Sequence, residues 1–466
     1  MKPNVFREYD IRGVVGKEFF IENVYELGKA IVTYYLKLHP LEKKIIIGRD
    51  GRAHSLDIQN NLMRAACDLG LDVIDIDVCP TPTLYFAVHT LSIQTALIVT
   101  ASHNPKQYNG VKMWGVWGAQ IQEIKDIYLN KKFVKPIGPA GSVIKHDMIS
   151  PYLNYLEEKF GNLKNVTLNA VIDCGNGTAG TVIPKLIKKM GWKNIKLLCS
   201  EVDGTFPNHE ADPTVPANMI MVKEALVSDN TLSVGLGLDG DCDRMNPMTK
   251  EGELIAGDKL LALFAQRALK DFPGASVVFD IKSSSSLIEL LTKWGAKPCI
   301  SPSGHSLIKE TMAKTNAKLA GELSCHFFFH DRYFGYDDGI YAALRLFELL
   351  VTSGKTLTQL LTIIPHKENS PEIRIECASD EEKLKIVEHV KKVFSTRTDA
   401  KLITIDGIRA QMPYGWGLLR ASNTQPVICL RFESETKEGL LRVKRDFFTG
   451  LQKLFDENKL KEQIGI

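Results

Sequence analysis

No apolar run in this sequence approaches the ~18 residues that a membrane-spanning helix needs. The N-terminal MKPNVFREYDIRG also lacks a hydrophobic stretch of signal-peptide length. No CxxC pair occurs among the nine cysteines, and their odd number leaves one over from any pairing scheme. That usage argues against a disulfide framework and fits reduced thiols in a cytoplasmic protein. An excess of one charge is lacking too: the formal net charge is +3, with Lys and Arg dispersed along the chain. Such a balance speaks against nucleic acid and against a membrane surface, so a cationic site is expected to be local and suited to a small anion. No G-x-S-x-G nucleophile elbow is present.

What is present is length and pattern. At 466 residues, 44% hydrophobic and 24% charged, the chain has the balance of a folded soluble protein with three or four domains. Three segments repeat one motif: a short apolar strand, a small-residue loop, a helix-like stretch stopped by Gly, and a second strand. They are KIIIGRDGRAHS with NNLMRAACDLGLDVIDI, NAVIDCGNGTAG with TVIPKLIKKMGWKNIKLL, and SVVFDIKSSSS with LIELLTKWGAKPCI. Gly70, Gly191 and Gly295 are the stops. Units of this kind build parallel crossovers, so three similar mixed-sheet α/β domains are expected. From about residue 368 the pattern changes to strands with two helical stretches, SDEEKLKIVEHVKKVF and KEGLLRVKRDFFTGLQKLF, which reads as an α+β domain with an antiparallel sheet. The expected boundaries are 1–150, 151–256, 257–367 and 368–466, with the domains set around a central cleft.

Each repeat is followed by an apolar strand that runs into a polar loop: TALIVTASHNP (95–105), LSVGLGLDGDCDR (232–244) and AKLAGELSCH (317–326). Ligands of α/β sheets bind where loops leave the carboxyl ends of strands. In the first loop Ser102 suits a nucleophile or a phosphate carrier, while the adjacent His103 is expected to diverge from it. In the second, Asp239, Asp241 and Asp243 alternate, so an extended backbone turns three carboxylates to one side. Their mutual repulsion calls for a cation, and an all-oxygen set suits Mg²⁺, with Arg244 beside it to balance a phosphate. An EF-hand is disfavoured because the twelfth position counted from Asp239 is Lys250. In the third loop Glu322, Ser324 and His326 alternate likewise and offer sugar-binding and proton-transfer chemistry. Ser303, Gly304 and His305 form a second polar turn, and Lys282 lies in the loop of the third repeat. Near the C-terminus, RASNTQP (420–426) places Arg420, Ser422, Asn423 and Thr424 together, a composition that suits a phosphate group. A serine carrier, a divalent-metal site, a hydroxyl site and a phosphate clamp are the parts that phosphoryl transfer needs.

TASHNP, DGDxDR, GExSxH and RxSNTxP, in this order, resemble the α-D-phosphohexomutase superfamily, with FREYDIRGVVG and NGVKM as further shared stretches. The resemblance covers nearly the whole chain and is strongest to bacterial phosphomannomutase/phosphoglucomutase enzymes. It implies a cytoplasmic monomer of four domains that acts on small sugar phosphates. A phosphorylated Ser102 would exchange its phosphoryl group with the sugar through a hexose 1,6-bisphosphate. By the same matching, Arg12, Lys112, Arg244, Lys282, His305 and His326 line the reaction centre. Mg²⁺ would be held by Asp239, Asp241, Asp243 and phosphorylated Ser102. Glu322 and Ser324 would hold sugar hydroxyls, and Arg420, Ser422, Asn423 and Thr424 would grip the second phosphate, with Tyr9 in the matched N-terminal loop.

Two positions depart from the pattern: Cys242 and Cys325 stand where the superfamily usually has Gly. Both thiols are expected to face away from the ligands, with some strain in their loops. A phosphoglucosamine mutase is the alternative within the superfamily, but those enzymes usually carry Ser-Gly-Thr at the position of Ser422, Asn423 and Thr424. A non-catalytic phosphosugar-binding protein is the alternative outside it, and intact Ser102, Asp239, Asp241, Asp243, His305 and His326 argue against that reading.

Overall fold

The computed structural model describes every residue except 423–425. These residues fall into two compact units, Met1–Ala268 with Ser324–Leu361, and Leu269–Leu323 with Thr362–Ile466. Among them, no helix is long and apolar enough to cross a membrane.

In the first unit, a six-stranded sheet is built from β1 (Ile11–Val14), β2 (Lys44–Arg49), β3 (Asp72–Val78), β4 (Ala96–Val99), β5 (Tyr108–Met113) and β6 (Val143–Lys145). Their order is β1-β5-β4-β2-β3-β6. β2 pairs in parallel with β3 and β4, and β5 runs antiparallel to β4 and β1. β2 and β4 read as continuous apolar runs, and their central residues are buried, as strands covered by helices require. Helices Val24–Leu38, Ser55–Asp68 and Ala119–Leu129 contribute Leu27, Ile31, Leu62, Ile121 and Ile124 to one cluster with Val73, Leu97, Val99 and Val111. A second sheet of the same unit comprises β7 (Thr167–Asp173), β8 (Lys193–Leu198), β9 (Val234–Leu238) and β10 (Met245–Thr249), ordered β10-β9-β7-β8. Here β7 is parallel to β8 and β9, and β10 turns back antiparallel on β9.

The second unit repeats the pattern. β11 (Ser276–Asp280) is parallel to β12 (Lys297–Ser301) and to β13 (Leu319–Gly321). β14 (Phe327–Phe329) belongs to the first unit. The three helix stops read from the sequence all have left-handed backbone: φ is +91° at Gly70, +65° at Gly191 and +75° at Gly295. In each repeat the middle strand (β2, β7 or β11) lies between the strand that follows its helix and a third strand, which leads into a polar loop.

The remaining sheet is antiparallel: β15 (Glu368–Asn369), β16 (Ile373–Glu376), β17 (Lys401–Ile403), β18 (Ile408–Met412), β19 (Gly415–Ala421) and β20 (Val427–Ser434). Its helix Asp380–Ser395 starts where Ser379 accepts from the Glu382 amide, while Glu382 reaches back to the Ala378 amide. The stretch KLITIDGIRA reads as a single strand, but a turn at Gly407, φ +74°, divides it into β17 and β18. β15 and the terminal helix Glu457–Ile464 carry too little apolar periodicity to be read in advance.

Candidate active site

The first two polar loops meet inside the first unit. Ser102 follows β4 with φ +50°, a left-handed conformation that bends the loop back on itself. Its hydroxyl donates to Asp239 Oδ2 at 2.9 Å and lies 3.1 Å from His103 Nδ1. The expectation that Ser102 and His103 diverge is therefore wrong. It assumed extended backbone, and a left-handed residue removes the alternation on which it rested. Burial, aided by the charges of Arg244 and Arg12, pushes the His103 imidazole well down, so it is neutral. Arg244 Nη2 lies 2.9 Å from the same Nδ1, so that nitrogen carries the lone pair and accepts from Arg244.

The acidic loop is also a turn, since the Cys242 amide donates to the Asp239 carbonyl at 3.0 Å. The three carboxylates nevertheless converge, offering one oxygen each within 4.8 Å of one another, and all are buried. Lys112, on β5, bridges two of them, with Nζ 2.6 Å from Asp241 Oδ2 and 2.6 Å from Asp243 Oδ2. Repulsion among the three is thus partly relieved by a lysine, which the sequence reading did not anticipate. Burial lowers the Lys112 ammonium, but Asp241 and Asp243 outweigh it and keep the group charged. Asp239 is not so served: burial and the charges of Asp243 and Asp241 push its carboxyl well up. Asp241 Oδ1 and Asp243 Oδ1 are buried with no hydrogen-bond partner among the described residues. Orphaned carboxylate oxygens beside an under-neutralised carboxyl are what a divalent cation would relieve, so the residues present fit a hard metal ion.

Three arginines shape the serine loop. Arg12 Nη1 donates to the Ala101 carbonyl at 3.0 Å and to Asn104 Oδ1 at 2.5 Å, and Nη2 pairs with Asp10. Arg244 donates from its backbone to Asp239 Oδ1 at 3.1 Å and from Nε to His326 Nε2 at 3.0 Å. His326 Nδ1 faces Asp337 Oδ2 at 3.2 Å and Asp243 Oδ1 at 3.7 Å. The third arginine, Arg52, escaped the sequence reading altogether. It is 3% exposed and donates to the carbonyls of Ser102, Asn104, Pro105 and Tyr108, while Asp50 accepts from its Nε at 3.1 Å. Its place in GRDGR, at the end of the first repeated strand, was the available signal. Thr81 was missed as well; its hydroxyl donates to Asp241 Oδ2 at 2.7 Å. Tyr9 is half-buried in the bend before β1.

In the second unit, the Gly304 amide donates to Glu322 Oε1 at 2.6 Å, and His305 opens the helix His305–Thr315. The expected single face of Glu322, Ser324 and His326 does not form. The segment turns at Cys325, φ +66°, and His326 belongs with the acidic loop while Glu322 belongs with Gly304. Lys282 sits 3.6 Å from Asp280 Oδ2 and 3.8 Å from Glu372 Oε2, and these carboxylates outweigh burial to raise its pKa. Arg420 donates to Asp406 Oδ2 at 2.9 Å, which also accepts from the Ser303 amide at 3.0 Å. Lys383 anchors the start of the last loop through the Ser422 carbonyl at 2.7 Å. Asn423 and Thr424 lie outside the described residues. Cys242 and Cys325 both have left-handed backbone, φ +70° and +66°, and both are buried. The Cys325 thiol contacts Asn246 Oδ1 at 3.2 Å.

Four sequence families match the chain in order: the phosphoglucomutase/phosphomannomutase α/β/α domains I (3–134), II (150–252) and III (256–367), and the C-terminal domain (372–450). A phosphomannomutase/phosphoglucomutase of Pseudomonas syringae is 39% identical over 97% of this chain and 96% of its own length. A phosphoglucomutase of Neisseria gonorrhoeae is 37% identical over 95% of this chain and 96% of its own. Among solved structures, a phosphoglucomutase/phosphomannomutase family protein of Burkholderia thailandensis superposes with a TM-score of 0.88 at 33% identity, covering 97% of this chain and 98% of that one. With four domain families in order and similarity over nearly its full length, this chain belongs to the phosphoglucomutase/phosphomannomutase family.

Proposed function

We propose that this protein is a phosphohexomutase that interconverts hexose 1-phosphates and hexose 6-phosphates, with mannose and glucose as the sugars. The observation that carries the reading is the Ser102 hydroxyl, buried against Asp239 and His103 beside Arg12, Arg244 and Lys112. In the forward direction phosphorylated Ser102 loses its phosphoryl group to the free hydroxyl of a hexose monophosphate, giving a hexose 1,6-bisphosphate and Ser102 hydroxyl. After the sugar exchanges its ends, the other phosphate passes to Ser102, and the serine proton must leave. His103 Nδ1, neutral and 3.1 Å away, can accept that proton. Charge on the transferring group is met by Arg12, Arg244 and Lys112, held in place before the substrate arrives. Asp239, Asp241 and Asp243, with the phosphoserine, would hold Mg²⁺, which supplies Lewis-acid neutralisation of the phosphoryl oxygens when bound. His326, held between Arg244 and Asp337, is assigned to the reaction centre. Lys282 and His305 are assigned to the reaction centre, Glu322 and Ser324 to the sugar hydroxyls, and Arg420, Ser422, Asn423 and Thr424 to the phosphate that does not react, with Tyr9 in the matched N-terminal loop. The enzyme is read as a cytoplasmic monomer, with hexose 1,6-bisphosphate as activator and with no nucleic-acid or membrane partner.

Because one carrier serves both ends of the sugar, the hexose must bind in two orientations. Groups at O3 and O4 can be met in both, whereas the C2 hydroxyl, where mannose and glucose differ, cannot. Strong rejection of one sugar would need a buried polar partner stranded by the wrong one, and no residue here is assigned that task. A coupled assay with mannose 1-phosphate and glucose 1-phosphate tests the proposal. Turnover of both within about a thousandfold in kcat/KM, ~4 kcal/mol, abolished by chelation and restored by Mg²⁺, is expected. No mutase turnover with either sugar would reject it.

A further inference from the structure

We infer that Asp173, Cys199 and His209 form a second cation site, for a thiolate-accepting divalent ion of the Zn²⁺ class, which fastens residues 199–209 to the end of β7. The three side chains each offer one ligand atom, and these atoms lie within 4.8 Å of one another. His209 Nε2 is 3.1 Å from Asp173 Oδ2 and 3.8 Å from Cys199 Sγ. A tetrahedral ion with ~2.3 Å bonds to sulfur and ~2.0–2.1 Å bonds to nitrogen and oxygen sets those separations at roughly 3.4 Å and roughly 3.5 Å. Both observed distances are within a few tenths of an ångström of that requirement, so little movement is needed.

The imidazole is oriented for the task. His209 Nδ1 lies 2.9 Å from the Glu210 carbonyl, which only accepts, so Nδ1 carries the hydrogen and Nε2 faces the carboxylate and the thiol. A backbone carbonyl on the far nitrogen is the usual companion of a metal-bound histidine. Asp173 is fully buried at the strand end, whereas Cys199 and His209 are half-buried, which leaves one side for a water ligand. The mixed sulfur, nitrogen and oxygen set differs in kind from the all-oxygen set of Asp239, Asp241 and Asp243. Ligand softness therefore sorts two different ions between the two places.

The segment between Cys199 and His209, with Ala211 just after it, lies against residues that support the serine and aspartate loops. The Asn176 amide donates to the Cys199 carbonyl at 2.9 Å, and the Asp203 amide to the Asn176 carbonyl at 2.9 Å. Phe206 stacks on the guanidinium of Arg52 at 4.9 Å, and the Ala211 carbonyl accepts from the Gly240 amide at 3.2 Å. An ion gripping both ends of this segment would stiffen the surface on which the serine and aspartate loops rest.

The test uses the full-length protein saturated with Mg²⁺, so that the all-oxygen set is filled. Titration with Co²⁺ should then produce a thiolate-to-cobalt charge-transfer band that saturates at one equivalent, disappears in Cys199→Ser and survives in Cys325→Ser. Absence of the band in the unaltered protein, or its persistence in Cys199→Ser, overturns the inference. A second measurement avoids any variant that fails to fold. Alkylation by iodoacetamide is mapped by peptide mass in the unaltered protein, with Mg²⁺ alone and with Mg²⁺ plus Zn²⁺. Zn²⁺ should slow modification of Cys199 at least ~10-fold, since a metal-bound thiolate is withdrawn from reaction, while the half-buried Cys67, Cys299 and Cys377 serve as unaffected references. Equal rates at Cys199 with and without Zn²⁺ contradict the site.

Discussion

Ser102, Cys242 and Cys325 have left-handed backbone and set the turns of the loops that carry the reactive side chains. The types and order of Ser102, Asp239, Asp241, Asp243 and Arg244 pointed to a serine beside a metal loop, and the structure gathers them. The route differs from the expected one: left-handed residues at Ser102 and Cys242, φ +50° and +70°, make turns where extended strands were assumed. A single positive φ reverses which side chains face each other, and no local pattern announces it for a non-glycine residue. A left-handed Cys costs about 1 kcal/mol, which Cys242→Gly and Cys325→Gly would relieve. The gain is offset by the lost thiol packing and by the greater freedom of glycine in the unfolded chain. Both variants should therefore unfold in urea within about 1 kcal/mol of the parent and keep Mg²⁺-dependent activity. Collapse of activity in either would show that a thiol takes part. Arg52 makes the opposite case. Lysine at this position keeps the charge but cannot reach four carbonyls and Asp50 at once. We expect Arg52→Lys to lower kcat about tenfold or more, ~1.4 kcal/mol of transition-state stabilisation, with KM little changed. A loss confined to KM would mean that the serine loop holds its shape without Arg52.

At the scale of elements, strands and their glycine stops were the most readable features, because apolar runs and left-handed glycines follow from simple rules. The helix Gly339–Ser353 shows what such rules omit. Its N-cap, Asp338, is fully buried and accepts from the Tyr341 amide, the Tyr152 hydroxyl and the Tyr333 hydroxyl, each at 2.8 Å. Tyr333 is a neighbour in sequence but Tyr152 comes from a distant part of the chain, and no local pattern announces that they share one carboxylate. Asp338→Ala removes the cap and strands two buried hydroxyls, a loss of about 3 kcal/mol or more by urea unfolding. Burial pushes the Asp338 carboxyl up to about 6, despite these three donors. A carboxyl harder to ionise in the folded state than in the unfolded one weakens folding as pH rises through the interval between the two values. The stability advantage of the parent over Asp338→Asn should therefore shrink between pH 4 and about 6. An advantage that stays level or grows over that interval would show that Asp338 ionises as easily in the folded chain as in the unfolded one.

For the whole molecule, the threefold repeat explains why so much chemistry sits on so few loops. Each repeat places its third strand beside the middle one, in parallel, and each third strand leads into a polar loop. Two of these loops meet as Ser102 on Asp239, and a family match over nearly the full length supports the mutase reading. That reading stands on Ser102 as the phosphoryl carrier. The direct measurement is to incubate the dephosphorylated protein with glucose 1,6-bisphosphate, map phosphate by peptide mass, and then chase with glucose 1-phosphate. One phosphate per chain on the peptide containing Ser102, discharged by the chase and absent from Ser102→Ala together with most of the activity, is the predicted result. Full turnover by Ser102→Ala, or phosphate carried on another residue, would contradict the account.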